Sequence, residues 1–341
     1  MMRGRAWPLA GLLLLLAGGC GKKGTNPFAE QNVTTVPRAA DTLLFTSNGY
    51  SATRGLPREV FSAGAPGDPL QLTHCNTESR VCDAVEAVPS RDRQRIVERR
   101  ISDDTSGDGQ ISEADAASLV LIDLQRGVEG PLVPASRSVS GVDWSPVEDL
   151  LVYTAAVGPG NEDLFTIEPT GANDNSVALT PGVRERRPRF DPTGFTVTYE
   201  RIDSDGKGRI YILGSPARQI TNGGPGPEPL AGTPYVVGSD ADPVYSPDGA
   251  QVAFRRLVAT GNGGFGVWQI LAVRGDVSGE RIIAEGPIYR SAPDWGPLGI
   301  AFVEIDAAAA TSTLVVVQPD GSGRTVITSS SALFGNPRWL R

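Results

Sequence analysis

A short repeated unit constrains the fold of this chain more than any other feature of its sequence. Each copy has a proline or valine, any residue and an aromatic, followed by a Pro-containing turn and an alternating apolar strand. In the three best copies, the aromatic of the second strand lies seven residues after the turn proline. Such turns reverse the chain tightly and the alternation half-buries each strand, so every copy predicts a β-hairpin. The three copies span residues 142–153, 188–199 and 243–254.

Weaker copies and further strands extend this pattern along the chain. Two degraded copies occupy residues 88–96 and 293–302, and apolar strands such as 163–167 and 314–317 follow the hairpins. Four strands in roughly 45 to 55 residues is the period of a propeller blade, so we predict an all-β propeller of about six blades. The predicted blades are 41–73, 84–135, 139–181, 186–222, 240–286 and 289–329.

The end of the chain supplies a strand that its beginning lacks. The first blade starts at Leu43 without the proline-x-aromatic strand, whereas residues 336–340 repeat that blade opening and then stop. We therefore expect the C-terminal strand to fill the innermost place of the first blade. Closing the ring in this way removes exposed strand edges.

The repeated unit, best preserved from Tyr245 to Phe254, resembles the WD-like repeats of TolB-type propellers, and the resemblance covers about residues 41–341. TolB-like proteins work inside envelope protein assemblies, so the resemblance implies an envelope protein or peptide as partner. Trp268 lies outside the repeat register; we expect it in the core, with exposure for binding as the alternative. Packing between blades explains the aromatics at matching positions, which are Trp144, Phe190, Tyr245, Trp295 and Trp339.

The first nineteen residues have the layout of a secretory signal peptide, with two arginines, an apolar run from Leu9 to Leu16 and small residues. The run is shorter than the roughly 20 residues that cross a bilayer. Cys20 directly after it resembles the cleavage box of bacterial lipoproteins, which implies lipidation of Cys20. A plain signal peptide and an uncleaved anchor are the alternatives.

The segment after Cys20 predicts a tether and a location. Residues 21–40 are polar, contain two prolines and should link the lipid anchor flexibly to a domain that begins at residue 41. Gly21 after the cysteine fits sorting to the outer membrane facing the periplasm, with the cell surface as alternative. The net charge of −8 argues against a polyanion as partner, so nucleic acid is not expected.

The two remaining cysteines, Cys75 and Cys82, are close in sequence. An exported chain meets oxidising conditions, so we predict a disulfide between them, with two buried thiols as the alternative. A zinc site would need more ligands than these cysteines and His74, the only histidine, provide.

Residues 104–115 match an EF-hand-type calcium loop. Gly109 stands at the sharp turn of position 6, and an aspartate closes the loop at position 12, as in dockerin-like loops. Because strands rather than long helices flank it, we expect a structural calcium ion at a hairpin tip in the second blade. An Asp/Gly-rich turn without metal is the alternative. The predicted ligands are Asp104, Ser106, Asp108, Gln110 (by its carbonyl), Ser112 and Asp115.

The sequence contains no recognisable catalytic set. It has one histidine and no Gly-x-Ser-x-Gly elbow. We therefore expect a non-enzymatic binding or scaffold module. The alternative is an envelope hydrolase or lyase that acts on a sugar or lactone with a metal in the propeller channel. Three or more carboxylates or amides converging at the channel mouth would favour the enzyme, and an apolar or loosely charged channel would favour binding.

Overall fold

A computed structural model describes residues 42–48, 57–64, 69–74, 81–178, 180–261 and 265–340. Within these ranges the chain forms 25 strands and one short 3-10 helix, Ala135–Arg137, and no α-helix. No helix in this part is long and apolar enough to cross a membrane. The predicted signal peptide, the lipidation site Cys20 and the tether up to residue 40 lie outside the described residues.

The strands form five sheets, one of which joins the third and fourth blades where Glu162 pairs in parallel with Arg184, and together they make a six-bladed propeller whose blades are each antiparallel. The first blade contains β1 (Thr42–Ser47), β2 (Glu59–Gly64) and β3 (Leu70–Gln71), and the second β4 (Asp83–Pro89), β5 (Arg95–Ile101), β6 (Ser118–Asp123) and β7 (Val128–Val133). The third contains β8 (Val139–Trp144), β9 (Leu151–Gly158), β10 (Asn161–Ile167) and β11 (Asn175–Ala178), and the fourth β12 (Arg184–Phe190), β13 (Val197–Ile202), β14 (Gly208–Ile212) and β15 (Arg218–Gln219). The fifth contains β16 (Asp240–Tyr245), β17 (Gln251–Ala259), β18 (Val267–Arg274) and β19 (Arg281–Ala284). The sixth contains β20 (Tyr289–Arg290), β21 (Asp294–Gly296), β22 (Gly299–Asp306), β23 (Thr311–Val317) and β24 (Thr325–Ser330), and β25 (Phe334–Trp339) ends the chain.

The C-terminal strand closes the ring as expected. Strand β25 pairs antiparallel with β1, so that Leu43 lies opposite Trp339, and the sheet order is β25-β1-β2-β3. The first blade therefore takes its innermost strand from the far end of the chain. The prediction of an all-β propeller closed by its C-terminal strand is confirmed.

The apolar cores lie between neighbouring blades. Trp144 packs with Val88 and Val97 of the second blade, and Trp295 packs with Val244 and Ala253 of the fifth. Each propeller aromatic thus covers the sheet beside its own, which is the packing role predicted for this position. Successive side chains of a strand point to opposite faces of the blade, so each face of a blade has its own row of buried side chains.

Trp268 belongs to the core, although it lies outside the repeat register. Its ring contacts the ring of Tyr235 edge to face, with 5.4 Å between the ring centroids. The guanidinium of Arg255 lies over the Trp268 ring, 4.0 Å from its centroid. The side chain is buried, so the exposed alternative for Trp268 is wrong. Its indole nitrogen donates to the carbonyl of Phe265.

The structure describes the predicted calcium loop in full and the predicted disulfide in part. Residues 102–117 connect the antiparallel strands β5 and β6, so the 104–115 loop does sit at a hairpin tip. Cys82 is buried and disulfide-bonded. Its predicted partner Cys75 lies outside the described residues, and the pairing therefore stays a prediction.

Candidate functional site

Charged side chains from the inner strands meet at the centre of the ring. Arg189 of the fourth blade lies 3.1 Å from Asp143 of the third and 2.8 Å from Asp294 of the sixth. Because the fourth and sixth blades are not neighbours, this contact must cross the centre. All three residues stand immediately before the inner aromatic of their strand, and all three are buried.

A second charged layer lies two residues earlier along the inner strands. Arg187 of the fourth blade lies 3.5 Å from Glu86 of the second blade and 3.5 Å from Asp242 of the fifth. Both Arg187 and Asp242 have positive φ, at points where the pairing register of their strands shifts. A Cβ at Gly141 would stand 3.0 Å from the Cα of Arg187, so glycine leaves the room that this close approach needs.

The four carboxylates of these layers are each accompanied by arginine. Glu86 also pairs with Arg338 of the closing strand, and Asp242 pairs with Arg255 at 2.5 Å. Asp294 accepts a hydrogen bond from the backbone amide of Trp339 at 2.7 Å. The channel therefore matches neither sequence-based expectation. It contains converging carboxylates, yet their charges are neutralised by guanidinium groups rather than left for a cation.

Glu200 is a further buried acid near the channel. Its Oε2 accepts a hydrogen bond from the Tyr235 hydroxyl at 3.2 Å, while its Oε1 has no hydrogen-bond partner. Burial is the largest effect and raises the pKa of Glu200 to about 7, although the charge of Arg186 opposes it. Such a pKa suits a catalytic acid. However, Glu200 has no exposed surface and cannot contact a ligand from solvent.

A polar cavity of about 400 Å³ opens at the channel end where the inner strands begin. The β5–β6 loop, the starts of β8 and β12, and the β9–β10 hairpin form its walls. It therefore lies among the second, third and fourth blades. Its charged and hydroxyl lining includes Arg99, Glu113, Ser140, Glu162, Arg184 and Arg186.

Most charges of this cavity lining have partners. Arg186 pairs with Glu162 at 3.0 Å, and Glu113 pairs with Arg58 at 2.9 Å. Arg99 differs, because its Nε and Nη2 are buried without a hydrogen-bond partner. Its nearest carboxylate is Glu86, 3.8 Å from Nε, and Glu86 already serves other arginines. These two nitrogens have essentially no accessible surface, so they face the protein interior rather than the cavity.

The 104–115 loop turns two of its predicted ligands toward its own backbone. Asp104 accepts from the amides of Gly107 and Gly109 at 2.7 Å, and Asp115 accepts from the amides of Ser106 and Ser112. In the ranges that the structure describes, no three Asp, Glu, His or Cys side chains are arranged to hold a metal ion. The oxygen donors of the loop nevertheless suit calcium chemically. Calcium binding by the loop stays a prediction.

The charged residues of the channel are the functional-site candidates that sequence reasoning missed. Arg189, Asp294 and Arg338 each occupy the middle position of a proline-x-aromatic unit. A charged residue at this middle position, inside a strand predicted to be innermost, was the sequence signal that could have identified them. His74, in contrast, is exposed at the end of the first blade, as expected of a loop residue.

The fold and this channel define the class: the chain is a six-bladed β-propeller of the TolB type of fold, with an ion-paired centre. The sequence matches no protein-family model and no curated protein. TolB from Acinetobacter baumannii is similar in structure with a TM-score of 0.64 and 14% identity, covering 89% of this chain and 67% of that one. Putative TolB from Agrobacterium tumefaciens has a TM-score of 0.57 and 15% identity, covering 88% and 99%. A chain of the nidogen/laminin complex has a TM-score of 0.58 and 9% identity, covering 87% and 97%.

Proposed function

We propose that this protein is an exported, lipid-anchored propeller that binds an envelope protein or peptide without catalysing a reaction. The observation that carries the proposal is the paired channel: each of Glu86, Asp143, Asp242 and Asp294 has an arginine as partner. A hydrolase or lyase with a channel metal would need these carboxylates free, since hard cations bind ionised oxygen ligands. The TolB-type fold supports a binding role by analogy.

The propeller face that carries the polar cavity is the proposed binding face. Because strands alternate in direction, the β5–β6 loop and the connections between blades lie at the same end as the starts of the inner strands. The two longest connections between described strands, 102–117 and 220–239, are both on this face. Loops held by a rigid scaffold are where binding residues concentrate.

Site-specific photo-crosslinking in cells tests this proposal. A photoreactive residue at position 114, exposed on the cavity face, should give a discrete protein adduct in the envelope fraction. The same residue at position 193, exposed in the β12–β13 turn on the opposite face, is the matched control. Equal labelling at both positions, or none at position 114, would contradict the proposal.

Calcium is the proposed structural ion of the binding face. The double variant Asp104→Ala with Asp108→Ala should abolish calorimetric calcium binding and the accompanying rise in melting temperature. A ligand at about 100 times its Kd stabilises the native state by about 2.7 kcal/mol, which is readily measured. Asp320→Ala, in another exposed acidic turn, should change neither result. Binding that survives the double variant would place the ion elsewhere.

A further inference from the structure

Two aromatic side chains are accessible on the binding face, where the fifth and sixth blades meet. Phe265 belongs to the β17–β18 loop and is 44% exposed. Its ring contacts the ring of Tyr289, the first residue of β20, with 5.7 Å between the ring centroids. Tyr289 is half-buried, and Pro287 beside it in the chain is exposed. Because β17 and β19 both end on the binding face, the two rings form one surface there, which we call the aromatic patch.

The protein holds the exposed Phe265 in a fixed position. The buried indole of Trp268 donates a hydrogen bond to the carbonyl of Phe265 at 3.1 Å. The next residue, Gly266, has a φ of 71°, and a Cβ at this position would stand 2.7 Å from Cδ1 of Leu257. The backbone beside Phe265 therefore lies directly against the apolar core. A ring held in this way loses little conformational entropy when a partner covers it.

Tyr289 is held in place by the buried charges and the core behind it. Arg255 pairs with Asp242 at 2.5 Å, and its guanidinium lies 5.8 Å from the centroid of the Tyr289 ring. Tyr289 also pairs with Ile305 between β20 and β22, and it packs against the cluster that contains Trp268. Rigid aromatic side chains of this kind contribute a large share of the binding energy at protein interfaces.

Two exposed carboxylates flank the aromatic patch. Glu228 accepts a hydrogen bond from the hydroxyl of Thr260, at the start of the β17–β18 loop, at 3.4 Å. Glu285 lies in the connection that leads to β20 and accepts a hydrogen bond from the side-chain amide of Gln269 at 3.3 Å. Neither carboxylate forms an ion pair within 4.0 Å with any residue that the structure describes. The negative charge beside the patch would therefore be complemented by a cationic partner.

We propose that the aromatic patch docks an aromatic side chain of the partner protein, in a segment that carries lysine or arginine beside it. The inference rests on the proposed protein-binding function and names the chemistry of the partner. An aromatic side chain buries a large apolar area and can pair edge to face with Phe265 and Tyr289. A second copy of this chain is a poorer match, because a net charge of −8 makes two copies repel each other.

Selection from a random-peptide phage library on the purified full chain tests this inference. We expect the enriched peptides to contain an aromatic residue with lysine or arginine close beside it. The most enriched peptide, made synthetically, should bind the wild-type chain in a calorimetric titration. Phe265→Ala should weaken its binding at least about tenfold, as truncation of an aromatic hot spot does.

Phe195→Ala is the matched control for the loss of an exposed ring. Phe195 is 87% exposed in the β12–β13 turn on the opposite face, so its truncation should leave peptide binding unchanged. Glu285→Lys should weaken binding of the same peptide, whereas Glu148→Lys, at an exposed position on the opposite face, should not. All four variants change exposed side chains and should keep the wild-type melting temperature, so lost binding would not reflect unfolding.

Four results would overturn the inference. They are the enrichment of no peptide, the enrichment of acidic or non-aromatic peptides, equal binding to the wild type and Phe265→Ala, and a dimer in sedimentation that Phe265→Ala converts to a monomer. The last result would assign the patch to a second copy of the chain. Photo-crosslinking at position 114 does not depend on the chemistry of the aromatic patch. An adduct there, together with any of these four results, would retain the protein-binding function and reject the partner chemistry proposed for the patch.

Discussion

Deletion of residues 335–341 is expected to abolish the cooperative unfolding transition of the propeller. The deletion removes most of β25, and with it the buried side chains of Trp339 and Arg338. Losing a buried tryptophan costs about 3–5 kcal/mol. Glu86 also loses Arg338, one of its three arginine partners beside Arg187 and Arg99, which weakens a buried ion-pair network. The combined loss is a large share of the 5–15 kcal/mol that typically stabilises a whole domain.

Two further effects act in the same direction. The edge of β1 loses its partner strand, which exposes unpaired backbone groups that template aggregation. Asp294 also loses the amide of Trp339. Thermal denaturation followed by circular dichroism is the measurement. Trp339→Ala alone should keep the fold and lower the free energy of unfolding by about 3–5 kcal/mol. An unchanged melting temperature of the truncated chain would mean that β25 does not hold the ring closed.

Arg189→Met is the second change with a large expected effect. Arg189 joins Asp143 of the third blade to Asp294 of the sixth. Methionine keeps much of the volume but leaves two buried carboxylates short of a countercharge. Removing one partner of a buried ion pair typically costs about 3–5 kcal/mol. We expect a loss of this size in urea denaturation, without a change in the slope of the transition.

Arg209→Met provides a matched control for the burial of the charge. Arg209 also pairs with two carboxylates, Asp203 at 3.1 Å and Asp205 at 2.6 Å, but it does so at a hairpin where Asp205 is half-exposed. Solvent screens such pairs, so its removal should cost about 1 kcal/mol or less. Equal losses for the two variants would contradict the argument that the centre of the channel is a buried electrostatic network.

A combined variant separates the loss of packing from the loss of charge balance. Replacing Asp143 and Asp294 by Asn in the Arg189→Met background removes the uncompensated charges. Partial recovery of stability relative to Arg189→Met alone would identify charge as the cause. No recovery would indicate that the packing of Arg189 matters more than its charge.

The arrangement of the blades could be predicted from the sequence because its determinants are local. Each hairpin is specified by a turn proline, an aromatic and alternating strands within a dozen residues. The observed strands extend beyond the predicted blade limits by two residues at most, as at Arg184 against a predicted start at 186. The closure of the ring could be predicted in a similar way. The first blade lacked its opening strand, and residues 336–340 supplied one strand more than the sixth blade needed.

The candidate site could not be predicted in the same way. Arg189 and Asp294 are 105 residues apart, and Arg187 lies 101 residues from Glu86. Whether these charges pair or stand free depends on which inner strands face each other across the ring. The pairing register of the inner strands also shifts at Arg187 and Asp242. This local shift determines which residues occupy the second charged layer, and the sequence pattern does not show it.

The sequence by itself therefore determined the repeated hairpins, the number of blades and the strand that closes the ring, because each depends on short-range backbone preferences and on counting. Only the tertiary structure decided that the channel carboxylates are neutralised and that Trp268 is buried. Those properties arise where distant blades meet. There, the distance between charges and their removal from water set the electrostatic energy, and neither quantity is encoded in local pattern.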